Sequence, residues 1–246
     1  MDRALYVAMT GATQTMRAQA VNNNNIANAS TLGFRAEIAA LQPDAVTGPG
    51  QPTRVNAVAV ENGWDSSSGS LMTTGNPLDV ALRDNSWLAV QASDGTEAYT
   101  RAGDLRVNAL GQLQTGAGHL VLGDGGPISV PPNASVTIGA DGTLSVVPLG
   151  QTPATLASVG RLKVVDADST QLQRGADGLM RAVPGETLNA SSGNAVTSGV
   201  VESSNVNLPQ TMVNMIGLAR QFELQVKMMK TIEDNATAAQ TVMRMS

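Results

Sequence analysis

The chain has no cysteine, which excludes a disulfide framework, a thiolate nucleophile and Cys-ligated zinc. Histidine occurs once, at His119, too few for a His-built metal site. Aromatic residues number six, two each of Phe, Trp and Tyr, so a core must be built mostly from Val, Leu, Ile, Ala and the 11 Met. Charged residues make up only 14%, against about 25% in an average soluble domain. The 15 Lys+Arg and 20 Asp+Glu leave a net charge of -5 with no basic cluster. Nucleic acid and anionic lipid both need concentrated positive charge, so neither is an expected partner. No apolar run approaches the roughly 20 residues of a membrane span, and direct membrane insertion is not expected. The opening Asp2-Arg3-Ala4-Leu5-Tyr6-Val7-Ala8-Met9-Thr10-Gly11 turns polar before a signal-peptide core is complete. Export, if it occurs, then needs another route.

What fills the gap is 25 Gly, with abundant Ser, Thr and Asn, in a chain of 246 residues. At roughly 150 residues per domain that length predicts one or two domains. Leu5, Met9, Ala12, Met16 and Ala20 recur at helical spacing and predict a helix over 3–28. Gly11 and the run Asn22-Asn23-Asn24-Asn25 weaken it, Gly alone by about 1 kcal/mol relative to Ala, so it needs a partner. At the other end Met212, Met215, Ala219, Phe222, Val226, Met229, Ala236 and Met243 repeat at helical spacing. Asn207 as a cap and Pro209 in the first turn place a strong helix over 208–244, about 50 Å long at 1.5 Å per residue.

Between them the period changes. Asp94-Gly95, Asp124-Gly125, Asp141-Gly142 and Asp177-Gly178 punctuate short runs of Val, Leu, Ile and Thr, as tight hairpins require. Residues 87–92 and 96–101 read as one hairpin, with further strands at 105–108, 119–122, 135–138, 143–147 and 161–165. Segment 36–75, with Pro43, Gly48-Pro49-Gly50, Pro52 and Ser66-Ser67-Ser68-Gly69-Ser70, reads as an extended linker with one strand at 54–60. The expected fold is α+β: an all-β central domain flanked by N- and C-terminal helices that pair as a coiled-coil-like assembly domain. The domains would be 1–35 plus 206–246, the linker 36–75, and the β domain 76–205. Closing the loop between the helices costs roughly 4–5 kcal/mol, so they are expected to be loose in the monomer and to order when many copies pack. Such stripes fit either a monomer's core face or an assembly interface. Their length, and the lack of a nearby partner of similar length, favour assembly.

No chemistry stands out. His119 has no triad or metal partner in the sequence. Asp166-Ala167-Asp168-Ser169 opens like a calcium loop, but Gln171 stands where that loop needs Gly. Gly123-Asp124-Gly125-Gly126 lacks the Gly-Lys-Ser/Thr of a phosphate loop. No catalytic residue, cofactor or metal site is expected.

The run Asn24-Asn25-Ile26-Ala27-Asn28-Ala29-Ser30-Thr31-Leu32-Gly33-Phe34-Arg35 resembles the N-terminal signature of the flagellar axial proteins, the rod, hook and hook-associated family. Val201-Glu202-Ser203-Ser204-Asn205-Val206-Asn207, with Met212-Val213-Asn214-Met215-Ile216 and Arg220-Gln221-Phe222-Glu223, resembles the family's C-terminal hallmark. Pro77-Leu78-Asp79-Val80-Ala81-Leu82, Trp87-Leu88-Ala89-Val90-Gln91, Glu97-Ala98-Tyr99-Thr100-Arg101 and Val159-Gly160-Arg161-Leu162-Lys163-Val164 are more similar to proximal rod members than to distal rod or hook members. Arg83-Asp84-Asn85-Ser86 stands where the family commonly has a glycine-containing turn. Asn25, Asn28, Thr31, Gly33, Phe34, Asn205 and Asn207 carry the motif; as local structure, the Asn residues cap, Thr31 turns, Gly33 frees the backbone and Phe34 anchors. The resemblance implies terminal helices packed in a tube around an export channel, with β domains outside. It also implies export by the flagellar type III apparatus, torque transmission, and other proximal rod proteins and the distal rod protein as partners. A distal rod or hook-type subunit is the alternative within the family; a periplasmic β-domain enzyme acting on cell-wall glycan is the alternative outside it.

Overall fold

The computed structural model describes residues 2–45, 55–83, 85–150, 156–191 and 193–245. Two helices bracket the chain, α1 (Asp2–Ala27) and α2 (Leu208–Met245), with strands between them. The α2 start follows from its capping chemistry: Asn207 Oδ1 accepts the Gln210 N–H at 3.1 Å, and the Asn207 carbonyl accepts the Thr211 N–H at 3.0 Å. Pro209 falls where an N–H has no helical partner to lose. Asn28 closes α1, its backbone and side-chain N–H groups donating to the Asn24 carbonyl at 3.1 and 3.0 Å.

The chain forms two compact units: a helical unit of Met1–Ala29, Ala36–Asp65 and Val206–Ser246, and a β unit of Ser30–Arg35 and Ser66–Asn205. In the helical unit α1 packs along α2. Thr15 lies against Gln225 and Asn22 against Thr211, so the helices run antiparallel. The same unit holds β1 (Glu37–Ala45) and β2 (Val55–Trp64), paired antiparallel from Glu37↔Trp64 to Ala45↔Val55. The extended segment therefore contains a long two-stranded ladder rather than the single strand expected at 54–60. Pro43 does not prevent it, since a two-stranded ladder leaves half of each strand's N–H groups unpaired. The Gly-Pro cluster at 48–52 lies outside the described residues.

The β unit is built on a ten-stranded sheet. Its main path runs Leu172–Arg174, Met180–Ala182, Glu97–Thr100, Ser86–Gln91, Leu120–Gly123, Leu113–Thr115, Leu105–Val107. A three-stranded sheet of Asn133–Ile138, Thr143–Pro148 and Ala157–Arg161 accompanies it, as do two short ladders, Val80–Leu82 with Val196–Ser198 and Leu71–Thr73 with Val200–Glu202. The core between them is aliphatic, as the shortage of aromatics requires: Leu88, Val90, Leu113, Val121, Leu144 and Leu162 are all buried in it. The strand expected at 161–165 is instead two, because the chain leaves the three-stranded sheet at Arg161 and joins Ser86–Gln91 at Val164. Leu162, at the crossing, plugs the core.

Three of the Asp-Gly pairs make the expected tight hairpins, with φ of +83°, +82° and +81° at Gly95, Gly142 and Gly178. The fourth differs. At Asp124-Gly125 the positive φ, +116°, falls on Gly126, because two further glycines flank the pair and offer the backbone another place to reverse.

Candidate functional site

Two features distinguish the molecule: the composition of the contact between α1 and α2, and a buried ion cluster in the β unit. The helix contact carries polar bonds, and α1 packs against β1 and β2 as well as α2. Ala8, Ala12, Gln14, Thr15 and Asn22 are buried on α1, Thr15 at 1% exposure. Thr15 Oγ1 lies 3.0 Å from the Gly11 carbonyl and 3.1 Å from Gln225 Oε1. Asn22 Nδ2 donates to the Thr211 carbonyl at 2.9 Å. A Cβ on Gly11 would stand 3.0 Å from Gln225 Nε2, so glycine allows this close approach. On α2 the half-buried positions are Thr211, Leu218, Phe222, Gln225, Met229, Ile232, Ala236 and Ala239, spaced by three, four and seven.

Of the stripe picked out on α1, Ala12 is buried, whereas Leu5, Met9, Met16 and Ala20 are exposed. On α2, Phe222, Met229 and Ala236 are half-buried, and Met212, Met215, Ala219, Val226 and Met243 are exposed. Within the chain, most of the α1 stripe and Met212, Met215, Ala219, Val226 and Met243 of α2 point to solvent, while the covered face of α2 carries Leu218, Phe222, Met229 and Ile232 beside Thr211 and Gln225.

The motif residues divide between the two units. In the helical unit Asn25 grips the backbone of Glu37, its Nδ2 donating to the carbonyl at 2.9 Å and its Oδ1 accepting the N–H at 2.8 Å. Asn28 and Asn207 are the helix caps. In the β unit Thr31 closes a turn, its carbonyl accepting the Phe34 N–H at 3.3 Å. Gly33 has φ +67°, and an added Cβ would fall 2.3 Å from the Arg101 carbonyl carbon; only glycine fits both conditions. Its N–H donates to the Glu202 carbonyl at 2.9 Å. The ring of Phe34 is buried, with the Arg174 guanidinium 4.4 Å from its centroid. Asn205 donates from its backbone to the Phe34 carbonyl at 3.3 Å and from Nδ2 to the Ser67 carbonyl at 2.9 Å.

These contacts surround a buried clasp. The Glu202 carboxylate accepts Arg35 Nη1 at 2.7 Å and the Gly69 N–H at 2.8 Å on Oε1. On Oε2 it accepts Arg101 Nε at 2.7 Å and Nη2 at 2.6 Å. All three side chains are 1% exposed. Arg101 spends its other N–H groups on the carbonyls of Arg83, Ser86 and Leu82, at 3.1, 2.8 and 2.9 Å. All five guanidinium donors are thereby engaged. Arg83 and Ser86 thus serve Arg101 through their carbonyls. Arg35 Nη1 also donates to the Ser67 carbonyl at 2.6 Å. Four stretches distant in sequence, 33–35, 67–69, 82–101 and 202, meet at one carboxylate. The sequence reading did not assign this cluster. Its only trace there is that three of the few charged residues sit inside the quoted motifs.

The other titratable residues form local pairs. Burial, and then the hydrogen bond to Glu97, push the Tyr99 phenol well above its usual range. Glu97 in turn pairs with Lys163 at 2.7 Å. Asp166 and Asp168, which open like a calcium loop, accept hydrogen bonds from Ser86 and Asn85. The described residues contain no group of three or more acidic or His side chains able to hold a metal ion, and no helix among them is long and apolar enough to cross a membrane.

Three family models match the chain: Flagella basal body rod protein over residues 5–35, the Flagellar hook protein FlgE/F/G D1 domain over 81–146, and the Flagellar basal body rod FlgEFG protein C-terminal over 197–242. The flagellar basal-body rod protein FlgF of Escherichia coli K12 is 47% identical over 100% of both chains. FlgF of Salmonella typhimurium is 46% identical, again over the full length of both. FlgG, the flagellar basal-body rod protein of Bacillus subtilis, is 32% identical over 95% of this chain and 96% of its own.

Proposed function

The chain belongs to the FlgF group of the flagellar basal-body rod family, and from that premise we propose that it joins the rod through the outward apolar faces of its two terminal helices. It is a structural, non-enzymatic subunit of the flagellar basal-body rod. It assembles with other flagellar rod proteins. The finer reading is that residues 1–35 and 206–246 form the assembly domain and 76–205 a β domain carried on it. In that reading the helices pack with those of neighbouring subunits as a coiled-coil-like tube around the export channel. The neighbours are other proximal rod proteins and the distal rod protein FlgG, and the subunit reaches its place through the flagellar type III export apparatus.

The observation that supports this most directly is the apolar surface left exposed on both helices. Leu5, Met9 and Met16 on α1, with Met212, Met215 and Val226 on α2, stand exposed while Thr15, Asn22 and Gln225 meet inside. Burying a side chain of this kind is worth about 1.5–3 kcal/mol, so a neighbour covering several of them gains a substantial apolar contact. In this reading the clasp bears load. It ties Arg35, at the exit from the N-terminal motif, to Glu202, just ahead of α2, on the same frame. Torque entering through the helices would therefore reach the β unit at a stiff point.

The test is substitution of an outward position. Met215→Asp or Val226→Asp should leave the monomer folded, with the far-ultraviolet spectrum and β-unit stability of the parent, yet abolish motility and incorporation into isolated basal bodies. Normal motility in both variants would overturn the helix-interface reading.

A further inference from the structure

The four Asp-Gly pairs are an internal comparison, because each carries the dipeptide most prone to aspartate isomerisation but in a different environment. The reaction needs the backbone nitrogen of the glycine to reach the side-chain carbon of the aspartate before it. It is slowed when the carboxylate is held elsewhere and when it stays ionised, since the ionised form is the poorer electrophile. Three of the pairs are held in both ways. Asp94 Oδ1 accepts the Thr96 N–H at 2.9 Å and the Thr96 hydroxyl at 2.6 Å. Asp141 accepts the Thr143 N–H at 3.1 Å and its hydroxyl at 2.6 Å. Asp177 accepts the Leu179 N–H at 3.2 Å and both terminal nitrogens of Arg181, at 2.8 and 2.7 Å. The hydroxyl hydrogen bonds hold Asp94 and Asp141 below the usual carboxylate range, and the Arg181 hydrogen bonds do the same for Asp177. In each the glycine is fixed at φ near +80° by its hairpin.

The Asp124 carboxylate lacks these hydrogen bonds. It is exposed, no side chain or backbone group among the described residues bonds its carboxylate, and open space surrounds Gly125. The positive φ, +116°, falls on Gly126 and not on Gly125, so Gly125 lacks the φ near +80° that the glycine takes in the other three pairs. Glycine on three sides of Asp124, at 123, 125 and 126, also removes the side chains that would crowd the approach of the nitrogen.

We propose that Asp124 is the site at which this chain isomerises to isoaspartate. The Gly125 nitrogen forms a bond to Cγ of Asp124 and gives up its proton. The carboxyl loses a hydroxyl group, and one water leaves. Water then adds to the resulting five-membered imide. Where it opens the ring at the Asp124 main-chain carbonyl, the chain continues through Cγ and the original carbonyl becomes a free carboxylate. The net change is a rearrangement that needs no oxidant or partner. It lengthens the backbone by one carbon inside the hairpin in which Gly123 pairs with Gly126 and Leu122 with Pro127, so the product cannot keep that ladder.

The experiment is to incubate the purified full chain at neutral pH and 37 °C, a physiological condition set for the assay, and to read isoaspartate at each Asp-Gly pair by site-resolved peptide mapping. Accumulation at Asp124 several-fold faster than at Asp94, Asp141 or Asp177 is expected. The difference should vanish in urea, where the four dipeptides lose their separate environments. Thr96→Val, which removes the hydroxyl from Asp94, should raise the rate at Asp94 while leaving Asp124 unchanged. Equal rates in the folded chain would overturn the proposal, as would no product at Asp124, or an advantage for Asp124 that persists in urea.

Discussion

Replacing Glu202 tests whether the clasp carries the β unit. Glu202→Gln keeps the size and one acceptor oxygen but removes the charge that two arginines share, and it turns an amide N–H toward a guanidinium. Arg35 and Arg101 would then be cations at 1% exposure without a counter-charge. Removing one partner of a buried pair costs about 3–5 kcal/mol, because the remaining charge is left desolvated. The carbonyls around Arg101 keep the loss toward the lower end, since Leu82, Arg83 and Ser86 still accept its N–H groups. A loss of about 3–4 kcal/mol is a large share of the 5–15 kcal/mol that holds a typical domain together, and corresponds to a fall in Tm of about 6–16 °C at this size. The assay is urea unfolding followed by Trp87 fluorescence. Trp87 is in the β unit and has the Arg101 guanidinium 5.8 Å from its ring. A Trp64→Phe background removes the signal of the helical unit. Because the pair is buried, the loss should be nearly the same at low and high salt. Glu202→Gln within about 1 kcal/mol of the parent, the range of an ordinary surface substitution, would refute the clasp as a structural centre.

Gly33→Ala should destabilise the β unit by well over the 1–3 kcal/mol of a strained backbone alone, since its Cβ would fall 2.3 Å from backbone at Arg101; a thermal melt checks it, and a Tm equal to the parent's would count against the close approach. Tyr99→Phe should flatten the alkaline limb of stability. The folded phenol is held above its usual range by burial and by Glu97, so the folded state keeps a proton that the unfolded state loses near pH 10, and stability falls as pH rises beyond that point. An unchanged alkaline limb in Tyr99→Phe would assign that loss to other groups. Limited proteolysis of the monomer should remove the helical ends first and leave a product close to 66–205, because no described residue of α2 is fully buried while the β unit holds a buried Leu and Val core. Equal resistance at the ends would mean that the helices are already locked within one chain.

The parts legible in the sequence were those fixed by local rules. The start of α2 is set by Asn207 and Pro209, and three hairpins are set by an aspartate that accepts the N–H two residues on and a glycine that takes positive φ. Asp124-Gly125 escaped the same rule because its neighbours Gly123 and Gly126 give the backbone a choice. β2 matches the strand expected at 54–60, but β1 was hidden by Pro43, whose breaking effect depends on whether the N–H it lacks was needed. The clasp was not legible at all. Arg101 and Glu202 are 101 residues apart, and no spacing rule links residues that meet only after two sheets and two short ladders have formed. Charged residues in a chain this poor in charge were the one available signal.

The helix pair shows why periodicity alone found α1 but not the face it turns inward. The pattern Leu5, Met9, Ala12, Met16, Ala20 follows the apolar residues, on the rule that these point to the partner. Thr15 and Asn22, which bond α2, lie on the neighbouring stripe. Small residues let the helices approach, and Thr15, Asn22 and Gln225 supply bonds that one register satisfies; a slip of one turn would leave them unpaired in the contact. Buried polar groups of this kind specify alignment at a cost in stability. In the helix-interface reading proposed above, these bonds set the register of α1 on α2, and the exposed Leu5, Met9, Met215 and Val226 are left for neighbours.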